Sequence, residues 1–235
     1  MKKRWIATAT AVAVVFLAAV GVCIRALFAP QTVFSASQAE MRIVLDAGHG
    51  GVDGGVTGTV TGVKESDLNL IITLALKEAF EDAGFAVTLT RKTEAGLYGT
   101  TARGFKKRDM QKRREIIQEA NPALVLSIHQ NFYPSKTSRG AQVFYGKKRE
   151  GSERLALALQ QPLNALYAEK GVKGRKATAG EYFMLDCHHS PSVIVECGFL
   201  SSPADEALLQ SSVWQKRLTQ SIVTGVLSFL GELAT

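Results

Sequence analysis

The sequence predicts an α/β fold: a single domain with a mostly parallel central sheet of about six strands flanked by helices. Three observations predict it. Short apolar runs, such as Ile43-Val44-Leu45 and Leu124 to Ile128, alternate with longer segments whose apolar residues recur at helical spacing. The first run stops in a glycine-rich turn, IVLDAGHGGVDGG over residues 43–55. Two histidines, His49 and His129, stand just past the ends of such runs, where α/β sheets usually bind their ligands.

The chain starts basic, with Lys2, Lys3 and Arg4, and then carries no charge from Ile6 to Ile24. Nineteen such residues just suffice to span a bilayer and are slightly long for a signal-peptide core. Residues 1–25 therefore read as an export signal that either anchors the protein or is cleaved. Val22 precedes Cys23 where a lipoprotein signal needs a small residue, so lipidation is not expected. Residues 26–40 read as a linker, and residues 41–233 as the globular catalytic body.

That body opens with a strand from Met41 to Asp46, followed by a polar, glycine-containing loop to Val63. Ser66 suits a helix cap, and acidic residues around it suit the positive end of the helix. Leu68, Leu70, Ile71, Leu74, Ala75, Ala79 and Phe80 continue at helical spacing up to Gly84, a natural stop. Phe85, Val87 and Leu89 alternate as a second strand. Residues 91–104 form a loop. Phe105 to Glu119 is helical and carries Lys106, Lys107, Arg108, Lys112, Arg113 and Arg114, read mainly as a solvated face, with an anionic polymer as the other reading. Asn121-Pro122 breaks it, and Leu124 to Ile128 is the third strand. Gly140 to Gly146 is the fourth, Glu153 to Tyr167 a helix, and residues 171–180 a loop. Tyr182 to Leu185 and Ser192 to Cys197 read as two further strands divided by Pro191. Trp214 to Leu233 closes the chain as a helix.

The formal net charge is +7, but Lys2, Lys3, Arg4 and Arg25 precede the body, and all 21 acidic residues lie from Glu40 onward. The body is only slightly basic, so a nucleic-acid partner is not called for. Of three cysteines, Cys187 and Cys197 lie in the body without CxxC spacing, which indicates neither a cysteine zinc site nor a disulfide framework. One bridge between them and two free thiols both fit. The glycine-rich turn fails as a phosphate loop: Asp53 stands where a dinucleotide fingerprint needs glycine, and no Gly-Lys-Ser/Thr follows.

Four residues carry the chemistry: His49, Glu65 at the start of the first helix, His129 in SIHQN, and Glu196 inside the apolar run VIVECGFL. A carboxylate in such a run is costly unless compensated. Glu196 is therefore either paired with a basic residue or working beside a metal. Two histidines and one carboxylate form a familiar zinc set that leaves one position to water. In that reading His49, Glu65 and His129 bind one Zn2+ ion and Glu196 is the base.

MRIVLDAGHGG, KESDLNL, LVLSIHQN and VIVECGFLSS, in this order, resemble the motifs of the zinc-dependent N-acetylmuramoyl-L-alanine amidases, the amidase-3 family. The resemblance runs over about residues 41–233. It implies an α/β sheet with flanking helices, zinc ligands at His49, Glu65 and His129, and a catalytic glutamate at Glu196. It also implies hydrolysis of the amide between N-acetylmuramic acid and L-alanine in peptidoglycan. The short domain and the segment RKTEAGLYGTTARGFKKRDMQKRREII resemble the germination-specific, spore-cortex amidases, which take part in forming muramic-δ-lactam. The expected location is across the cytoplasmic membrane, anchored or in the wall, with the forespore envelope as the narrower expectation. An activating partner protein is also expected. Two rival readings are a zinc peptidase cutting within the stem peptide and a silent wall-binding module.

Three positions depart from the family pattern: Ala47 for proline, Gln130 for a small residue, and Cys197 for an apolar residue after Glu196. Strand alternation turns Cys197 away from the face of Glu196, so it is not read as a nucleophile. The Cys187-His188-His189 cluster has metal binding as one reading, but adjacent loop histidines more often face solvent, so it is left out of the site.

Overall fold

A computed structural model describes residues 41–233 of the chain. The expected export or anchor segment and the linker lie outside the described residues. Among the described residues no helix is long and apolar enough to cross a membrane.

The elements follow in the order β1 (Arg42–Ala47), α1 (Glu65–Asp82), β2 (Ala86–Leu89), α2 (Phe105–Ala120), β3 (Leu124–Asn131), β4 (Gln142–Tyr145), α3 (Ser152–Ala168), β5 (Thr178–Ala179), α4 (Phe183–Asp186), β6 (Ser192–Phe199), α5 (Pro203–Leu209) and α6 (Ser212–Leu233). The six strands form one sheet in the order β2-β1-β3-β6-β4-β5. Strands β2, β1, β3 and β6 are parallel, while β4 runs antiparallel to β6 and pairs in parallel with β5. The chain leaves β1 for β2 on one side and returns to β3 on the other. Such a reversal opens a crevice at the carboxyl ends of the strands, and both His49 and His129 lie there.

Strand alternation divides the side chains between two cores. Ile43 and Leu45 of β1, Leu124, Leu126 and Ile128 of β3, and Val193, Val195 and Cys197 of β6 join the larger core, with residues of α1, α3 and α6. Val44 and Val125 face the smaller one, with Ile117 of α2 and Met184 of α4. Asp46 and Ser127 share that second face, and the same parity carries His129 and Glu196 onto it.

The structure corrects several expectations. Tyr182 to Leu185 is not a strand: Phe183–Asp186 forms one helical turn. Four successive apolar residues have no period, so burial alone could not separate the two. The sixth strand is instead the two-residue β5, inside the expected loop. Ser66 does not cap α1; Lys64 holds that position without a side-chain hydrogen bond, and Glu65 is the first helical residue. The buried stripe of α1 runs through Leu68, Ile72, Leu76 and Phe80, while Ile71 and Leu74 are exposed. Helix α5 was not foreseen, although Ser202 accepts from Asp205 N and Pro203 takes the first turn, a normal helix start. Of the two readings left open for the cysteines, the structure has Cys187 and Cys197 as free thiols. His188 is buried, with its Nε2 3.1 Å from Met184 O.

Candidate active site

His49 arrives at the site through an unusual backbone. Its φ is +61°, the left-handed region that non-glycine residues rarely occupy. Two buried arginines hold the segment there. Arg113 of α2 donates from Nη1 to Asp46 Oδ1 (2.5 Å) and Ala47 O (2.7 Å), and from Nη2 to His49 O (2.6 Å). Arg91 donates from Nε to Ala47 O (2.9 Å) and from Nη2 to Gly48 O (3.0 Å) and Ser66 O (2.7 Å). Three consecutive carbonyls at the end of β1 are thus fixed by charged donors, the stronger class of hydrogen bond.

Arg113 is itself compensated. Its Nε donates to Asp109 Oδ2 (2.6 Å), and Asp46 also accepts from Thr90 Oγ1 and Ser127 Oγ at 2.6 Å each. Burial pushes the Asp46 carboxyl up, but Arg113 and the two hydroxyls more than offset it and hold it at about 2. The solvated reading of the α2 charges therefore fails at Arg113, which is 2% exposed. The spacing Asp109, Arg113, Ile117 carried the signal. Arg113 lies one turn before an apolar residue, on the inward face, with an acid one turn before it.

Glu65 reaches both histidines from the first turn of α1. Its Oε1 lies 2.9 Å from His129 Nδ1 and 3.4 Å from His49 Nε2, and it accepts from Gln130 N at 3.2 Å. Its Oε2 accepts from Val56 N at 2.9 Å, which ties the carboxylate to the glycine-rich loop. Burial raises this carboxyl, yet the two imidazoles outweigh it and hold it far below the usual range. Gln130, the departure from the family pattern, donates to Asn69 Oδ1 at 3.1 Å, and Asn69 donates to Gly48 O at 3.1 Å. Gly48 leaves room for the ring of His129, since a Cβ there would collide with it. The crowded imidazole is thus that of His129, and not that of the neighbouring residue.

The three expected donors converge: one ligand atom from each of His49, Glu65 and His129 lies within 4.8 Å of the others. Donors bonded to one tetrahedral ion at roughly 2.0–2.2 Å stand about 3.4 Å apart, so the set fits a single metal ion. Glu196 joins from the next strand, where its Cα pairs with His129 across β3 and β6. The register shifts immediately beyond, between His129 and Asn131. Glu196 Oε2 is buried with no hydrogen-bond partner, and among the described residues no lysine or arginine pairs with it. Burial pushes its carboxyl up to about 7; Glu65 adds to this, while the imidazoles of His129 and His49 pull the other way. Cys197 is buried in the larger core, where burial pushes its thiol up and the strand turns it from the site. A cleft lined by His49, His129, Tyr98, Phe105, Met110 and Met184 opens beside the donors.

Two imidazoles at the carboxyl ends of β1 and β3, with the carboxyl groups of Glu65 at the start of α1 and Glu196 on β6, make a donor cluster of the kind metal-assisted hydrolases use, and three of its members could hold one metal ion. The chain belongs to the N-acetylmuramoyl-L-alanine amidase family, whose profile it matches over residues 43–228, and its substrate is accordingly peptidoglycan. It is 32% identical over 193 residues to the germination-specific N-acetylmuramoyl-L-alanine amidase of Bacillus subtilis, covering 81% of this chain and 80% of that one. Among solved structures it resembles the CwlD amidase from Clostridioides difficile in complex with the GerS lipoprotein. That match has 32% identity and a TM-score of 0.76, and covers 81% of this chain and 98% of the other. An N-acetylmuramoyl-L-alanine amidase from Clostridium difficile 630 matches at 26% identity and TM-score 0.71, over 81% and 97% of the two chains.

Proposed function

We propose that this amidase is zinc-dependent, with His49, Glu65 and His129 holding one zinc ion and Glu196 serving as catalytic base. The observation that carries the reading is the convergence of the three donors, with Glu196 in register beside His129. Nitrogen donors favour zinc over magnesium or calcium. Bound zinc supplies Lewis acidity to the scissile amide and lowers the pKa of water to near neutrality. Glu196 Oε2 accepts a proton from the attacking water. The same carboxyl then gives the proton to the alanine nitrogen as the C–N bond breaks, leaving a lactyl carboxylate and a free stem peptide. Arg113 and Arg91 keep His49 in place throughout.

In the biological reading, residues 41–233 are the catalytic domain and residues 1–25 carry it across the cytoplasmic membrane. The substrate is spore-cortex peptidoglycan, and the product leads to muramic-δ-lactam and hence germination. Likeness to a germination-specific amidase supports this. A solved relative is described in complex with a lipoprotein, which supports a partner protein for this enzyme too.

The test uses purified full-length protein on cortex muropeptides, with metal analysis before and after chelation. A new amine on L-alanine, lost with the chelator and restored by zinc, is the expected result. Cleavage within the stem peptide, or turnover that survives complete metal removal, would refute the reading. Full activity of the protein alone would refute the need for a partner.

A further inference from the structure

The glycine-rich loop that carries His49 also carries a carboxylate with no place in the donor set. Gly50 N donates to Asp53 O (2.8 Å) and Asp53 N donates to Gly50 O (3.2 Å), so the loop closes on itself. That closure brings Asp53 Oδ2 to 3.2 Å from His49 Nδ1, while His49 Nε2 faces Glu65 Oε1 at 3.4 Å. The two ring nitrogens are therefore divided between two carboxylates with different tasks. The other oxygen of Asp53 lies 3.2 Å from Lys106 Nζ, on the first turn of α2.

We propose that Asp53 is a positioning residue of the metal centre, which fixes the His49 ring so that Nε2 is the nitrogen offered to the ion. A metal-bound histidine ordinarily donates its other ring N–H to a carboxylate, carbonyl or water, which sets tautomer and ring rotation together. Here Nδ1–H donates to Asp53 Oδ2. Lys106 holds the far oxygen and so ties the ring to the helix that already clamps the His49 backbone through Arg113. This inference rests on the zinc reading of the site.

The test measures zinc affinity by chelator competition in full-length wild type, Asp53→Ala, Asp53→Asn and His49→Ala. Melting of the metal-free proteins and nitrogen NMR of the labelled histidine rings complete it. Removing Asp53 is expected to weaken zinc binding by roughly ten- to a hundredfold. Metal-free melting should stay unchanged, and His49 should lose its single tautomer. Asparagine keeps an acceptor oxygen at the same reach, so Asp53→Asn should recover part of the affinity. Wild-type-like affinity in both Asp53 variants overturns the inference while leaving the zinc site standing, provided His49→Ala loses zinc. Unchanged zinc binding in His49→Ala overturns the site and this inference together. A fall in metal-free melting that matches the lost affinity makes Asp53 merely structural and also overturns it.

Discussion

Glu196 stands opposite His129 in the pairing of β3 with β6, on the sheet face that carries Asp46 and Ser127. The pairing places an unpartnered carboxyl beside an imidazole without any loop to position either. Regular backbone hydrogen bonding therefore sets the separation between the proposed base and the proposed ligand. Sites built on strands hold such distances better than sites built on loops.

Replacing Glu196 by Gln keeps the shape and removes the base. Turnover of muropeptides should fall by about a hundred- to ten-thousandfold, the usual range for general acid–base catalysis. Zinc content, read by metal analysis, should stay at the wild-type level. Normal turnover in this variant would remove Glu196 from the mechanism.

The protonation of Glu196 also has a sign that can be measured in metal-free protein. Its carboxyl is pushed from an ordinary 4.5 up to about 7, chiefly by burial. The folded state keeps a proton that the unfolded chain has released between those values. Stability should therefore fall as pH rises from about 4.5 to 7, by up to about 3 kcal/mol, and level off above. Glu196→Gln should accordingly melt higher than wild type at pH 8, with little difference at pH 4. Thermal melts of chelated protein at the two pH values give the comparison.

Arg113 neutralises Asp46 in the interior, and removing one member of a buried pair strands the other. Arg113→Met should cost about 3–5 kcal/mol in urea unfolding, and Asp46→Asn in the same chain should recover part of that. The acid side follows from Asp46, whose carboxyl is held at about 2 against an ordinary 3.8. Its stabilisation is complete above the ordinary value and is lost as pH falls through about 2, so wild type should lose on the order of 2 kcal/mol over that interval. Arg113→Met should show a much smaller loss.

Gly48→Ala tests the packing behind the second histidine. The added methyl would overlap the His129 ring. Overpacking of this kind costs about 1–3 kcal/mol. Because the displaced group is a proposed ligand, zinc affinity should drop further than the melting point suggests. Calorimetric titration with zinc alongside a melt separates the two effects, and unchanged zinc affinity would show that the ring has room to move.

The sequence by itself determined the class of fold and most of the strands and helices, and it singled out the four residues proposed for the site. Each of those rests on local pattern: apolar runs that stop in glycine, helical spacing after Lys64, and a carboxylate where apolar residues surround it. Tertiary structure alone decided that three of them, His49, Glu65 and His129, meet at one point, because the crevice forms only when β1 and β3 lie side by side. It also decided the fate of residues whose local pattern is ambiguous. Tyr182 to Leu185 became a helical turn and Arg113 a buried clamp, since the choice depends on which neighbour covers them. The left-handed backbone of His49 belongs with these: it persists only where distant arginines hold the carbonyls around it, and no short stretch of sequence contains both.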